Sequence, residues 1–287
     1  MDIRTLEGRW ALVTGAGSGI GRATALAFAQ RGANLALCDL DPEGLDATET
    51  QLRAMGREVL SEVVDVASPD AMHAFAKIVH DRIPAVDLLM NNAGIGIGAQ
   101  FLDTPLPEWE RILSINLMGV VHGCQAFVPK MVERGTSGHV INVASAAGYT
   151  ATRFLAAYST TKFAVVGLSE ALRDELAPEG IGVTAVCPGF TNTPIAQNSR
   201  MYGVAKSAAS RAEMVEGFRR RGYSPERVAE GVLRAVQQDR AVAPISPEAW
   251  VLYRLKRWAP RLLGWLTAQA SNRQLSMMRR NRSNDPD

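Results

Sequence analysis

Groups that bind metals or form disulfides are scarce in this chain. Its 287 residues include three cysteines and four histidines. Cys38, Cys124 and Cys187 are odd in number, widely spaced and set among apolar neighbours, which excludes a disulfide framework and any Cys-x-x-Cys pair. They read as buried, inert thiols in a reducing compartment, so a cytoplasmic location is expected. His73, His80, His122 and His139 show no ligand spacing with cysteines or carboxylates, so structural roles and no metal are expected. Net charge is almost absent: 31 Lys and Arg against 29 Asp and Glu leave +2, which makes no global case for nucleic acid. No signal-type apolar segment follows Met1-Asp2-Ile3-Arg4, and no uncharged apolar run reads as long enough to span a bilayer. Repeats and low-complexity linkers are missing too. Acidic residues vanish from one stretch, Trp250 to Arg282, which carries Trp250, Trp258 and Trp265, three of the five tryptophans.

What is present is ordinary globular composition, 47% hydrophobic and 21% charged, with length for one large α/β domain or two small ones. Short apolar runs alternate with helical patterns. Trp10 to Val13, Asn34 to Asp39, Val59 to Val66, Val86 to Met90, Val140 to Val143 and Val183 to Val186 read as strands. Helices are expected at Gly19 to about Arg31, with Gly32 as stop signal, and after Asp41, whose side chain caps a helix opening on Pro42. Others are expected at Ala71 to Arg82, Trp109 to Glu133, Tyr158 to Leu176 and Arg227 to Gln237, the last capped by Ser224-Pro225-Glu226. Strands rich in Val, Leu and Ile between helices imply a parallel sheet covered on both faces. Right-handed crossovers make it a doubly wound α/β fold of three layers, a Rossmann fold in a single domain. That domain is expected over residues 1–246, with a basic, Trp-rich helical extension over 247–287.

The first strand runs into Gly15-Ala16-Gly17-Ser18-Gly19-Ile20-Gly21. Glycines between a strand and a helix let backbone N–H groups approach a pyrophosphate, and the helix N-terminus adds partial positive charge. The spacing is G-x-x-x-G-x-G rather than G-x-G-x-x-G, because position 20 is Ile. Asp39 closes the second strand, 24 residues after Gly15, where a carboxylate accepts hydrogen bonds from ribose hydroxyls and repels a 2′-phosphate. Ser18 and Leu40 offer no cation for that phosphate, and Arg22 is the nearest one, so NAD is expected ahead of NADP. Asp65-Val66 ends the third strand and Asn91-Asn92-Ala93-Gly94 the fourth, adding contacts at the same crevice.

Tyr158 and Lys162 stand four residues apart on one helix face. A free phenol titrates near ~10, and an adjacent ammonium favours its ionised form. Tyr158 could then take a proton from an alcohol or give one to a carbonyl, while Ser145, thirteen residues earlier, holds the substrate oxygen. Thr14-Gly15-x-x-x-Gly19-x-Gly21, Asn91-Asn92-Ala93-Gly94, Ser145, Tyr158-x-x-x-Lys162 and Pro188-Gly189 occur in that order. As a set, over about residues 6 to 245, the chain resembles the short-chain dehydrogenase/reductase family in its single-domain branch. The resemblance implies an NAD(P)-dependent oxidoreductase that interconverts a secondary alcohol and a ketone, or an aldehyde, by hydride transfer, with Tyr158 as general acid/base. It implies that Lys162 also binds the nicotinamide ribose and that Asn116 holds a water relaying protons to Lys162. It further implies cofactor contacts from Pro188, Gly189 and Thr191 or Thr193, a substrate lid at about 195–223 including Met201, Tyr202 and Phe218, and a homodimer or homotetramer through the helices near Trp109 and Tyr158. The alternative is a catalytically silent nucleotide sensor or scaffold with the same fold.

Arg219-Arg220-Arg221 reads as a solvated patch, and Arg273, Arg279, Arg280 and Arg282 as a disordered basic end. Trp250, Val251, Leu252, Leu255 and Trp258 fall at helical spacing with Arg254, Lys256 and Arg257 between them. Pro260 interrupts, and Leu262, Leu263, Trp265 and Leu266 continue. Such a helix packs on its own domain, joins subunits, or lies on an anionic membrane surface. A hydrophobic alcohol or ketone is the substrate class that suits both this tail and the lid.

Overall fold

The structure, a computed structural model, describes residues 2–221 and 223–283, apart from some side chains within 208–221 and 279–283. In chain order the elements are β1 (Trp10–Thr14), α1 (Gly19–Ala29), β2 (Asn34–Asp39), α2 (Pro42–Ala54), β3 (Val59–Val63), α3 (Pro69–His80), β4 (Leu88–Asn91) and β5 (Ile97–Gly98). They continue as α4 (Leu106–Leu113), α5 (Gly119–Arg134), β6 (Gly138–Val143), α6 (Ala156–Leu176), β7 (Ile181–Cys187), α7 (Pro194–Asn198) and β8 (Arg200–Met201). The last are α8 (Ala208–Arg221), α9 (Pro225–Gln237), β9 (Val242–Pro244), α10 (Pro247–Trp258) and α11 (Pro260–Ser283).

Seven parallel strands form the main sheet in the order β3-β2-β1-β4-β6-β7-β9. Both faces are covered, which is why β6 is buried along its whole length and reads as a continuous rather than alternating run. On one face α1, α2 and α9 pack through Ala23, Ala27, Leu45, Leu52, Val228, Val232 and Val236. Small residues on α1 let α9 approach closely. On the other face α3, α5 and α6 bury Met72, Phe75, Phe127 and Val165. The chain order of the strands reverses direction at β1 and β4, so the crevice lies at their carboxyl ends. The doubly wound fold with a helical C-terminal extension matches the expectation from the sequence.

Several elements differ from their expected form. The third strand leaves the ladder at Val63, three residues early, and Val64 to Val66 turn toward the crevice. Asp41 stands at the N-cap of α2, but its side chain makes no capping bond. Ser224 does cap α9, accepting from the Arg227 N–H at 3.4 Å. The helix expected from Trp109 begins at Leu106 and is interrupted by a widened π turn, Ser114–Met118. By length and composition the helix Leu106–Arg134 is apolar enough to cross a membrane, although it carries charges such as Glu108, Arg111 and Lys130. Half of its most apolar stretch is buried in the protein, where that composition serves the core. The segment expected as a lid, about 195–223, holds α7, α8 and β8, and β8 pairs with β5.

The extension breaks before Pro260 as expected. Instead of a disordered end, the backbone stays helical through Ser283. The side chains of Phe218, Arg221, Arg279, Arg280 and Arg282 lie outside the described residues. Arg219 and Arg220 both pair with Glu216. All three cysteines are free and buried. Burial pushes the Cys124 and Cys187 thiols up to about 12 and Cys38 higher still. Among the described residues no group of three or more metal-ligating side chains occurs.

Candidate active site

The glycine loop is fastened from three sides. Gly15 and Gly19 adopt φ of +65° and +52°, which L-residues with a Cβ seldom hold. A Cβ at Gly21 would collide with the Gly15 carbonyl, so helix and loop meet without a gap. Asp39 Oδ2 accepts the Gly17 N–H at 2.7 Å, and Oδ1 accepts the Asp41 N–H at 2.9 Å. Beneath the loop, Arg22 donates to the Gly17 carbonyl, to the Gly44 carbonyl at 3.0 Å and to Thr48 Oγ1 at 2.9 Å. Ser18 is the N-cap of α1 yet makes no side-chain capping bond, and Ile20 packs on the core beside it. The positive end of α1 thus faces the crevice with its first-turn N–H groups uncapped.

The end of β4 is tied to that loop. Thr14 Oγ1 accepts the N–H groups of Asn92 and Ala93, both at 3.0 Å. The Asn92 amide donates to the Thr14 and Gly15 carbonyls at 2.9 and 3.0 Å. Asn92 therefore acts on the loop by positioning it, with its amide donors already engaged. Thr14 was not among the expected contacts, though a polar residue closing an apolar strand was the available signal. Val66 packs against Gly119, and its carbonyl meets His122 Nδ1 at 2.9 Å. Asp65 is exposed and accepts the Ala67 N–H at 2.9 Å. Below the crevice runs a chain that the sequence did not disclose. Asn91 donates to Asn142 Oδ1 at 2.9 Å, and Asn142 donates to Ser169 Oγ at 3.0 Å.

Ser145, Tyr158, Lys162 and Asn116 converge. Ser145 follows β6 and opens a short 3-10 turn, its Oγ accepting the Ala147 N–H at 3.1 Å. Its hydroxyl stands beside the Tyr158 phenol in the first turn of α6, close enough to favour the ionised phenol. Lys162 is buried one turn later, with Nζ 5.8 Å from the Tyr158 ring centre, and donates to the Val143 carbonyl at 2.8 Å. A Cβ at Gly94 would stand 3.6 Å from that Nζ and 3.2 Å from Asn116 Oδ1, so Gly94 keeps the approach open. Asn116 is buried in the π turn. Its Oδ1 accepts the Ile95 N–H at 2.8 Å, and its Nδ2 donates to the Ile95 carbonyl at 3.0 Å and Thr161 Oγ1 at 3.3 Å. The side chain is thus spent on the loop after β4.

The electrostatics differ from the expectation that the ammonium favours the ionised phenol. Burial lowers the Lys162 ammonium to about 8. Burial pushes the Tyr158 phenol above its ordinary value, and the Ser145 contact pulls it partly back. In the free protein burial therefore outweighs the Ser145 contact at Tyr158, and the phenol moves up where the sequence predicts an ammonium-lowered group.

After β7 the chain turns over the crevice. The Pro188 carbonyl accepts the Ala146 N–H at 2.8 Å, next to Ser145. Gly189 fits closely against Ser246 and Glu248, and Glu248 Oε1 accepts the Phe190 N–H at 3.1 Å. Thr193 lies against Gly19, where a Cβ would meet its Cγ2 at 3.2 Å, so Thr193 borders the loop. Thr191 is buried and bridges to Tyr223, farther into the structure. Beside Tyr158 an apolar wall forms from Ile95, Ile97, Trp109, Ile112, Ala157 and Tyr202. Sequence reading singled out only Tyr202 of this wall as a lid residue, because the others are scattered apolar positions without a motif. Arg200 of β8 pairs with Glu108 of α4, holding the lid to the wall.

A family model described as short chain dehydrogenase matches residues 9–202. The chain is 41% identical over 255 residues to the "Probable oxidoreductase EphD" of Mycobacterium tuberculosis, covering 88% of this chain and 43% of that protein. It therefore spans less than half the length of that relative. It is 36% identical over 249 residues to the "Putative oxidoreductase SadH" of the same organism, covering 85% of this chain and 88% of that one. Among solved structures, a short-chain dehydrogenase/reductase from Burkholderia phymatum in complex with NAD superposes with a TM-score of 0.80 at 30% identity, covering 91% of this chain and 96% of that chain.

Proposed function

This chain belongs to the short-chain dehydrogenase/reductase family, and on that premise we propose that it interconverts a hydrophobic secondary alcohol and a ketone with NAD(H). The observation that carries the reading is the convergence of Ser145, after β6, with Tyr158 and buried Lys162, whose Nζ lies 5.8 Å from the Tyr158 ring centre, at the strand ends that carry the glycine loop. The residues around the crevice fit a dinucleotide. Gly17 and Gly21 keep the loop free of side chains where backbone meets a pyrophosphate. Asp39 has two oxygens, each engaged by one backbone N–H, so lone pairs remain for ribose hydroxyls. Arg22 is committed to Gly17, Gly44 and Thr48, which leaves it badly placed to accept a 2′-phosphate and supports NAD over NADP.

Bound NAD(H) supplies the hydride acceptor or donor. Ser145 donates to the substrate oxygen and orients it toward Tyr158. In oxidation the ionised Tyr158 takes the hydroxyl proton as charge on that oxygen develops; in reduction the neutral phenol gives it back. Lys162, within reach of the ring, stabilises the ionised phenol and holds the nicotinamide ribose. Asn116 braces Ile95 through its side chain, so a relay water is served by the backbone carbonyls of the π turn rather than by the amide. The wall of Ile95, Ile97, Trp109 and Tyr202 supports an apolar substrate. Exposed Met118 and Phe163 near the starts of α5 and α6 support a homo-oligomer, and a cytoplasmic setting suits the three reduced thiols.

The test is NADH absorbance with NAD and a panel of hydrophobic secondary alcohols. We expect turnover, a lower KM for NAD than for NADP, and loss of turnover in Tyr158→Phe with NAD binding retained. NAD binding without turnover across the panel would instead favour a nucleotide sensor.

A further inference from the structure

We propose that the outward face of α10 and α11 is a docking surface for an anionic lipid bilayer. On α10, Val251, Leu255 and Trp258 repeat at i, i+4 and i+7 and form one stripe, with Trp258 85% exposed. On α11, Leu262, Trp265 and Leu266 form a second stripe, with Trp265 60% exposed. These side chains are not the ones that hold the extension to the protein. On α10 the attachment is made by Ala249, whose carbonyl accepts the Tyr149 hydroxyl at 2.7 Å, and by Leu252 and Tyr253 in the core. On α11 it is made by buried Leu263 and by Leu275 and Met278, which pack against Phe154, Met201 and Ala205. The outer stripes therefore remain apolar without a folding reason, on a pair of helices already anchored through their inner faces.

The charge around the stripes selects the occupant. Arg254, Lys256, Arg257 and Arg261 flank them, and no Asp or Glu occurs from Trp250 to Arg282. Among the described residues none of these four cations forms an ion pair. A second copy of the chain is disfavoured, because a twofold interface would set this acid-free face against itself. An acidic nucleic acid would satisfy the cations but leave Trp258, Trp265 and the leucines in water. A bilayer with anionic headgroups accommodates both, with tryptophan rings at headgroup depth and cations at the surface. Docking also brings lipid close to the lid, since α11 carries its inner face on Met201 and Ala205.

The test uses the full chain in co-sedimentation with vesicles of phosphatidylcholine alone and of phosphatidylcholine with phosphatidylglycerol. It reads binding and not turnover, so its failure is distinct from failure of the dehydrogenase reading. We expect partition onto the anionic vesicles that weakens with salt, as the Debye length falls from ~10 Å at ~0.1 M to ~3 Å at ~1 M. Replacing the four cations by Gln should weaken partition by about fivefold per charge removed. Trp258→Glu with Trp265→Glu should release the protein from vesicles while leaving its circular dichroism and melting temperature unchanged. Equal binding to neutral and anionic vesicles, no vesicle binding, or tryptophan variants that bind like the wild type would overturn the proposal. So would sedimentation velocity showing that the tryptophan variants turn a dimer into monomers, which would make this face a subunit interface.

Discussion

Lys162 shows how a single residue can serve chemistry at the expense of the fold. Its ammonium is buried, and the burial lowers it from 10.5 to about 8. Between those two values the unfolded chain holds a proton that the folded chain has released, so stability rises with pH across that window. Below about 8 both forms are protonated, and the fold carries the full cost of burying the charge, about 3 kcal/mol from a shift of this size. Lys162→Met removes that cost together with turnover. The difference in unfolding free energy, wild type minus variant, should therefore move in favour of the wild type from pH 7 to pH 10, measured by urea denaturation. A flat difference would mean that the ammonium is not destabilised in the folded state. His139 follows the same sign at the acid end. It is buried against Thr184, and burial lowers it to about 4. Stability should fall as pH drops from ~6.5 toward that value, because the unfolded chain takes the proton first. His139→Gln should flatten this limb of the stability curve.

At the scale of elements, the site is assembled by strand ends that tie one another down. Thr14 at the end of β1 accepts two backbone N–H groups from the turn after β4, and Asn92 returns two bonds to β1 and the glycine loop. Thr14→Val keeps the shape but strands both donors. We expect a loss of about 2 kcal/mol or more in unfolding free energy, with weaker NAD binding read by fluorescence titration. Thr14→Ser should retain both properties. The elements that carry such bonds were legible where the local signal was strong. β1, β2, β6 and β7 announced themselves as apolar runs, and Gly32 stopped α1 with φ of +98°. β9 was not legible, because three residues gain strand character only by pairing with β7. The π turn at Asn116 was not legible either; it coincides with the hold of Asn116 on Ile95, a contact between residues 21 apart that no local pattern announces. The glycine loop and the Ser145, Tyr158 and Lys162 positions could be read because fixed spacing on neighbouring elements encodes their meeting. The apolar wall beside Tyr158 could not, because its members share only hydrophobicity.

At the scale of the whole molecule, the extension and the lid form one unit. Leu275 and Met278 of α11 bury themselves with Phe154, Met201 and Ala205, and Arg153 donates to Asn272 at 3.1 Å. Phe154 lies between Ser145 and Tyr158 in the chain and takes φ of +70°, so α11 braces the segment that links the two site residues. The segment between Ser145 and Tyr158 is thus held by a helix more than 100 residues away in sequence, which explains why motif order alone assigned the tail no part in the site. Met278→Asp tests this coupling. A buried, unpaired carboxylate is costly enough that α11 should detach rather than accept it. The main sheet and glycine loop make no use of Met278, so the cofactor side should stay intact. We expect a raised KM for the hydrophobic alcohol, an unchanged KM for NAD, and increased protease cleavage within α11 and the lid. The conservative Met278→Leu should keep the wild-type KM for the alcohol and the wild-type resistance to cleavage. If KM for NAD rises equally, the extension supports the fold as a whole rather than the substrate side; if neither constant moves, α11 is attached to the lid without governing it.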